Sequence, residues 1–307
     1  MFDGILPIYK ERGMTSHDVV FKARKILQMK KIGHSGTLDP EVDGVLLLLL
    51  GGATKVSDYA MDLGKRYRAE VCLGIKTTTE DLTGEILEEK TIDNINLSEI
   101  KDILKTMVGE IEQTPPIYSA VKVNGKKLYE YARRGQFDVE IPSRKVNIYN
   151  IEFIDNSEYY KDGKFYFTID INCGKGTYVR TIATSIGEKL NIPSTMSKLT
   201  RTSSGKITID HCLKLDDVEK CLKENTLEDK ILKKEYALEE YQFVEIPLFR
   251  AKQVMNGLRF RKNQFPDYDF SNGIVFTYNN EAIAIYYLKD KDDELLSVKT
   301  TFPKILE

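Results

Sequence analysis

The chain has 307 residues, of which 41% are hydrophobic and 30% are charged, with a formal net charge of −2 at pH 7. These proportions predict a packed globular protein and exclude global disorder. The sequence has no run of about 18 apolar residues and no charged-then-apolar leader, so we expect a soluble, cytoplasmic protein without membrane contact.

The first half of the chain alternates predicted helices and strands. Apolar residues at helical spacing predict a helix over about residues 17–30, capped by Ser16, with basic side chains on its outer face. An apolar strand is predicted over 45–50, followed by a helix around 53–63. Alternation of apolar and polar residues predicts a strand over 66–73.

The second half supports a mixed α+β architecture with a largely antiparallel sheet and flanking helices. Helices are predicted over 97–108 and 178–190, and strands near 145–154 and 164–172. The long crossovers of a doubly wound parallel sheet are not evident. The fold class is therefore α+β.

A polar, acidic stretch over 216–240 marks a domain boundary. Beyond it, short predicted strands at 243–246, 273–278, 281–287 and 296–300 are joined by turns such as Asn279-Asn280. The chain is also about twice as long as a typical domain. We expect a large domain over residues 1–238 and a small β-rich domain over 239–307.

The segment most informative about function is the loop over residues 33–44, GHSGTLDPEVDG. It places Asp39 between a glycine-rich bend and Pro40, whose ring fixes its own φ, directly before an apolar strand. A catalytic acid is well placed in such a rigid setting at a strand edge. An isolated Asp-Pro pair is more simply interpreted as a turn-capping Asp.

Residues 33–46 resemble the GHxGTLDPxAxGxL signature of the tRNA pseudouridine synthase B (TruB) family, with nine positions matching in order. The resemblance implies that Asp39 is the essential catalytic residue, which disfavours the turn-capping role. Val42 and Asp43 depart from the pattern, and Asp43 adds a charge near the acid.

Further blocks between residues 13 and 205 resemble motifs of the same family, namely GMTS at 13–16, KRYRA at 65–69, CGKGTYVRTIA at 173–183 and LTRTSSG at 199–205. The resemblance implies that Tyr67 stacks on the target base and that Tyr178 lies in its pocket. It also implies that Arg180 is positioned against the catalytic Asp and that Leu199 lines the uracil pocket. His34 is expected to contact the RNA near the flipped nucleotide, in preference to acting as a required general base.

The block PPIYSAVKVNGKKLYEYARRG over 115–135 resembles the family's PPxxSAxKxxGxxxYxxAR motif. The resemblance implies an RNA-binding insertion over about 112–145, and a plain surface hairpin is the alternative. The expected RNA-binding residues are Lys122, Lys126, Lys127, Arg133 and Arg134.

The charge is unevenly distributed along the chain. Residues 10–31 carry seven Lys or Arg against two acids, and residues 120–145 carry seven against three. Residues 216–240 carry nine acids against five lysines. The net charge therefore hides two basic regions that are suited to phosphate contacts.

Metal and nucleotide cofactors are not expected. The four cysteines form no CxxC pair and the three histidines lack zinc-ligand spacing, which predicts reduced thiols and no metal site. Cys173 is interpreted as a buried structural thiol. The Gly-x-Gly at 174–176 could form a phosphate cradle, but no complete Walker or Rossmann motif accompanies it.

The resemblance implies a pseudouridine synthase fold with a C-terminal PUA-like domain, acting on uridine 55 in the T-loop of tRNA by base flipping. Asp39 would attack C1′, add to C6, or take a proton from C2′, and the sequence leaves these three roles open. The implied partner is the T-arm stem-loop, with no obligatory protein partner, and we expect a monomer. The alternatives are a non-catalytic tRNA-binding or folding protein of the same fold and a guide-RNA-dependent synthase.

Overall fold

The computed structural model describes residues 2–290 and 292–302. The helices are α1 (Ser16–Leu27), α2 (Ser57–Asp62), α3 (Leu97–Thr106), α4 (Leu128–Ala132), α5 (Val179–Leu190), α6 (Leu215–Lys223) and α7 (Leu248–Met255). The first strands are β1 (Gly4–Lys10), β2 (Ile32–His34), β3 (Asp43–Leu50), β4 (Lys65–Leu73), β5 (Ile75–Thr77), β6 (Ile86–Glu89) and β7 (Gly109–Gln113). They are followed by β8 (Lys122–Val123), β9 (Lys126–Lys127), β10 (Arg144–Phe153), β11 (Tyr159–Lys161), β12 (Lys164–Cys173), β13 (Ser194–Ser204) and β14 (Ile207–Thr208). The last strands are β15 (Gln242–Glu245), β16 (Phe260–Arg261), β17 (Ile274–Tyr278), β18 (Glu281–Tyr287) and β19 (Leu295–Thr301).

The larger sheet has the strand order β1-β3-β13-β4-β12-β10-β7, with β2, β11 and β14 paired beside it. All of its pairings are antiparallel except that of β13 with β3, which run parallel where Thr200 lies opposite Asp43 and Arg201 opposite Gly44. The predicted mixed, largely antiparallel sheet is therefore confirmed.

Strand β3 is buried on both faces, which explains its unbroken apolar sequence. On one face, Leu46, Leu48 and Leu50 pack with side chains of α1 and α6. On the other face, Val45, Leu47 and Leu49 pack with α2 and with the C-terminal sheet. The strand that follows the Asp39 loop is thus fixed by packing from both sides.

The C-terminal module is a five-stranded sheet with the order β15-β17-β18-β19-β16. Its central hairpin turns at Asn279 and Asn280, whose φ values of 53° and 57° suit a tight type I′ turn. The turn and four of the five strands were predicted from the sequence, and the two-residue strand β16 was not. Val275, Ala282 and Ile285 of this sheet share a hydrophobic cluster with β3, so the two sheets are packed together.

The prediction that Ser16 caps the first helix is wrong by one residue. Thr15 is the N-cap: its hydroxyl accepts from Asp18 N at 3.0 Å, and its own N–H donates to Asp18 Oδ2 at 2.9 Å. Ser16 begins the helix, and its Oγ instead accepts from Leu38 N at 2.8 Å and donates to Leu38 O at 3.2 Å. This reciprocal pair ties α1 to the residue before Asp39.

The first helix is also shorter than predicted, and the second differs from the prediction in type. Helix α1 ends at Leu27 because Gln28 adopts a left-handed conformation at the C-cap. The helix predicted around 53–63 is a 3₁₀ helix over Gly51–Val56 followed by the six residues of α2. Within the described part of the chain, no helix is both long and apolar enough to cross a lipid bilayer.

Candidate active site

Asp39 lies in the loop between β2 and β3 and forms an ion pair with Arg180. Its Oδ2 is 3.1 Å from Nη2 of Arg180, and the Asp39 side chain is 45% exposed whereas that of Arg180 is 5% exposed. The Val42 N–H donates to the Asp39 carbonyl at 3.1 Å and closes the turn around the acid. The carboxylate is therefore held from the protein side and open on the other.

Arg180 is fixed independently of Asp39. Helix α5 supplies the side chain in its first turn, and the guanidinium donates to the Thr79 carbonyl and to the Tyr118 carbonyl, each at 2.8 Å. Three distant segments thus converge on one guanidinium. A planar cation held in this way fixes the orientation of the carboxylate.

Tyr178, the N-cap of α5, is clamped by both ends of the predicted insertion. The Gln113 side chain donates to the Tyr178 carbonyl at 3.0 Å and accepts from its N–H at 2.7 Å. From the other end of the insertion, the guanidinium of Arg144 lies 5.0 Å from the centre of the Tyr178 ring. The ring is held at the wall of the cleft.

A cleft of about 1050 Å³ opens beside Asp39. Its lining includes five of the sequence-predicted residues, Asp39, Tyr67, Tyr178, Arg180 and Leu199. These residues come from a loop, two strands and a helix, so the fold brings together side chains that are up to 160 positions apart in the chain. A cleft of this size admits a nucleoside with part of its flanking chain.

His34 lies just outside the lining of the cleft, which begins at Ser35. It belongs to β2 and is paired with Leu48 of β3. Burial lowers the pKa of His34, and among the described residues its Nδ1 is buried without a hydrogen-bond partner. The ring is therefore neutral near pH 7.

The predicted RNA-binding residues lie away from the cleft lining, on the hairpin β8–β9 and around α4. The hairpin turns at Asn124 and Gly125, with φ values of 50° and 80°. The Nζ of Lys127 lies 5.4 Å from the centre of the Tyr129 ring, and the guanidinium of Arg133 lies 5.2 Å from it. Lys122, Lys126, Arg133 and Arg134 are exposed, and Lys127 is partly buried. The insertion thus carries a cluster of cations next to aromatic rings, while Ser119 and Ala120 reach the cleft itself.

Two buried cations of the cleft wall were not predicted as site residues. Arg201 is 1% exposed and donates through Nε to the Val45 carbonyl at 2.6 Å and through Nη2 to the Gly36 carbonyl at 3.3 Å. Burial lowers the pKa of Lys65 to about 8. The sequence signal was weak, because both residues sit in strands between polar neighbours and nothing local shows that they face inward.

Burial is the largest cause of the pKa shifts of two other groups around the cleft, Tyr67 and Cys173. It raises the pKa of the Tyr67 phenol, and the nearby guanidinium of Arg201 partly opposes this effect. Burial also raises the pKa of Cys173 to about 11, so this thiol is inert, in agreement with the structural role expected for it. Among the described residues, no group of three or more His, Cys, Asp or Glu side chains is placed to hold a metal ion.

A carboxylate held by a buried arginine in the lining of a large cleft, on a mixed sheet, is an arrangement typical of an enzyme site. A family model described as TruB family pseudouridylate synthase (N terminal domain) matches residues 24–179. The chain is 47% identical over 307 residues to tRNA pseudouridine synthase B of Staphylococcus haemolyticus (strain JCSC1435), which covers 98% of this chain and 100% of the relative. It is 50% identical over 292 residues to the protein of the same name from Staphylococcus saprophyticus subsp. saprophyticus (strain ATCC 15305), covering 93% and 94% of the two chains. The chain belongs to the TruB family of pseudouridylate synthases.

Solved structures show the same fold. One describes an H/ACA RNP bound to a substrate RNA containing 2′-deoxyuridine; its TM-score is 0.71 at 22% identity, covering 98% of this chain and 85% of that one. A Cbf5-Nop10-Gar1 complex gives a TM-score of 0.70 at 24% identity with the same coverage. The pseudouridine synthase fold expected from the sequence, with its β-rich C-terminal module, is confirmed.

Proposed function

We propose that the protein isomerises uridine 55 in the T-loop of tRNA to pseudouridine, with Asp39 as the catalytic group. The observation that carries the proposal is the ion pair between Asp39 and Arg180 at the cleft. The relatives named tRNA pseudouridine synthase B supply the substrate class, because the chain matches them over nearly its whole length.

The chemistry needs a rigid, ionised carboxylate. The C1′–N1 bond of the nucleotide breaks, the uracil turns while still bound, and C1′ then joins C5. The C5 proton is lost and N1 takes up a proton, so that the product is an isomer of the substrate. Asp39 attacks C1′, adds to C6 or removes the C2′ proton, and in each case its open oxygen reacts while Arg180 holds the other. The isomerisation involves no net redox change and no group donor.

The target base reaches this carboxylate only after it has left the RNA stack, at a cost of a few kcal/mol. Tyr67 and Tyr178 offer aromatic surfaces within the cleft, and stacking on such a surface contributes about 1–3 kcal/mol per base. Leu199, which is 7% exposed, supplies an apolar wall. These residues offset the cost of flipping.

The rest of the RNA is held outside the cleft. We assign phosphate contacts to Lys122, Lys126, Lys127, Arg133 and Arg134 of the insertion, and a contact beside the flipped nucleotide to His34. The division into a catalytic domain over 1–238 and an RNA-binding, PUA-like domain over 239–307 belongs to the same proposal. The enzyme then acts as a monomer without a protein partner or a guide RNA.

The test uses the purified full chain and an unmodified T-arm stem-loop as the only RNA. We expect pseudouridine at position 55, measured by digestion and mass spectrometry. Asp39→Asn keeps the size of the side chain but removes its charge, so we expect activity to fall by at least about 10³-fold while RNA affinity is retained.

A matched control is Asp102→Asn, because Asp102 is also ion-paired, with Lys105 at 2.7 Å, but lies on α3 outside the cleft. We expect this variant to keep full activity. Wild-type protein that binds the stem-loop without modifying it would support a non-catalytic RNA-binding role instead. Activity that appears only with an added guide RNA would support the guide-dependent alternative.

A further inference from the structure

Arg201 is a buried cation without a carboxylate partner at the wall of the catalytic cleft. Its side chain is 1% exposed and lines the cleft beside Tyr67. Arg180, by contrast, is paired with Asp39. Among the described residues no Asp or Glu oxygen lies within the 4.0 Å of an ion pair from the Arg201 guanidinium. Keeping an uncompensated charge out of water is costly, so such a group calls for an explanation.

The contacts of Arg201 leave hydrogen-bond donors directed toward the cleft. A guanidinium carries five N–H groups, and the carbonyls of Val45 and Gly36 take two of them. Nη1 of Arg201 lies 3.8 Å from the position that a Cβ on Gly36 would occupy. The Tyr67 hydroxyl takes a further hydrogen bond from Arg201. The two N–H groups that remain are at the end of the side chain that faces Tyr67 and Gly36, both of which line the cleft.

The backbone around Arg201 fixes this position. Gly44 lies opposite Arg201 in the parallel pairing of β3 with β13, with a φ of 109°. A Cβ on Gly44 would lie 2.2 Å from the Arg201 carbonyl oxygen. The close approach of the two strands is possible because residue 44 has no side chain, and it places the guanidinium under the loop that carries Asp39.

Lys65 shows what a purely structural cation looks like in the same cleft. Its three N–H donors are directed at the carbonyls of Ala60, Met61 and Leu63, the last at 2.5 Å, around the C-terminal end of α2. Lysine has only three donors, so none is left for a substrate. Lys65 caps a helix with all of its donors, whereas Arg201 has N–H donors available for a substrate.

We propose that Arg201 is a catalytic residue that stabilises the negative charge carried by the uracil during the isomerisation. The inference rests on the proposed function. Breaking the C1′–N1 bond leaves both bonding electrons on the base, where the charge spreads over N1, O2 and O4. Addition of Asp39 to C6 likewise places negative charge on the base, on O4. The electron pair is returned when C5 bonds to C1′ and the C5 proton leaves.

A cation fixed in a water-excluded wall suits this role, because it is already oriented before the charge develops. Its effect is larger than that of an exposed cation, since the surrounding dielectric is low. Arg201 stabilises the negative charge that develops on the base, and Arg180 orients the carboxylate of Asp39. The two arginines thus divide the electrostatic work of the site.

The test compares uridine and 5-fluorouridine at the target position of the T-arm stem-loop under single-turnover conditions. Because fluorine replaces the C5 proton that would leave, the rate followed for both RNAs is that of conversion of the C1′–N1 bond to the C1′–C5 bond, measured by digestion and mass spectrometry. Fluorine withdraws electron density and stabilises the uracil anion without help from the protein. We expect Arg201→Gln to lower the rate about 10²–10³-fold with uridine. With 5-fluorouridine the fold-loss caused by the same substitution should be about ten times smaller. RNA affinity, measured by filter binding, should change less than about twofold.

Lys65→Gln is the matched control, and its loss should be equal on the two substrates because Lys65 does not serve the base. Circular dichroism melting reports whether each variant folds. If Arg201→Gln does not fold, Arg201→Lys, which retains the buried charge, decides by the same comparison: a smaller loss with 5-fluorouridine supports the proposal. Equal losses of a folded Arg201 variant on both substrates would overturn it. Wild-type protein that modifies neither RNA would instead refute the proposed function.

Discussion

The carboxylate of Asp39 and the guanidinium of Arg180 are 3.1 Å apart, yet one side chain is 45% exposed and the other 5%. The two carbonyls that bind Arg180 come from Thr79 and Tyr118, so the cation stays in place without the acid. Asp39, in contrast, has Arg180 as its ionic partner. The acid therefore depends on the arginine for its position, and the arginine does not depend on the acid.

This asymmetry predicts different effects on stability. Arg180→Gln leaves the Thr79 and Tyr118 carbonyls without their charged donor, and we expect a loss of about 2–4 kcal/mol in the free energy of unfolding. Asp39→Asn removes one half-exposed charge, and we expect a change below about 1 kcal/mol. Urea denaturation of both variants checks this. Equal destabilisation by the two substitutions would contradict the asymmetry.

Two glycines with the same φ allow the steric cost of the close approach of β3 to β13 to be measured separately from the backbone cost. Gly44 and Gly109 both have a φ of 109°, but a Cβ would meet the Arg201 carbonyl oxygen at 2.2 Å from Gly44 and nothing within 4 Å from Gly109. Gly109→Ala carries only the backbone cost of about 1–3 kcal/mol. Gly44→Ala adds a steric clash in a packed sheet, and we expect it to be more destabilising by at least about 2 kcal/mol. Similar unfolding midpoints for the two variants would show that the strands separate easily.

The insertion's lysines predict a salt-dependent effect on RNA affinity. Each phosphate contact contributes about −0.7 to −0.9 to the slope of log affinity against log salt concentration. Lys126→Gln combined with Lys127→Gln should therefore reduce the size of the slope by about 1.5. The control is Lys220→Gln combined with Lys223→Gln on α6, where Lys223 pairs with Glu219 at 2.8 Å. If the insertion is a plain surface hairpin, both double variants will keep the wild-type slope.

His34 predicts a specific loss of stability in acid. Burial lowers its pKa in the folded state, so below its usual value near 6.5 the unfolded chain binds a proton that the folded chain does not. The stability associated with the neutral ring is fully present above that pH and is lost as the pH falls through the lowered pKa. We expect the wild type to lose more unfolding free energy than His34→Gln between pH 7.5 and pH 5. A constant difference between the two proteins over this range would show that the ring does not titrate as described.

The sequence predicted the elements whose pattern is local. Alternation over 66–73 and helical spacing over 178–190 correspond to β4 and α5 within one residue at each end. The capping of α1 was less predictable, because Thr15 and Ser16 are both good caps and the choice depends on Ser16 bonding to Leu38, a residue 22 positions away.

Features created by distant pairing could not be predicted. Arg201 lies in a polar run, and its burial results from the parallel pairing that places it opposite Gly44. Likewise, Val275 and Ile285 alternate as core residues of any small sheet would, and only the fold shows that they pack with β3. Sequence patterns identify which residues face inward within an element, and not which other element they meet.

The carbonyl of Tyr118 gives the segment over 112–145 a second duty, because it helps to seat the guanidinium that orients the acid. If the proposed function holds, shortening that segment would misplace Arg180 and weaken RNA binding at the same time. If another RNA-binding segment replaced residues 112–145, we expect an inactive protein unless the new segment also placed a backbone carbonyl against Arg180.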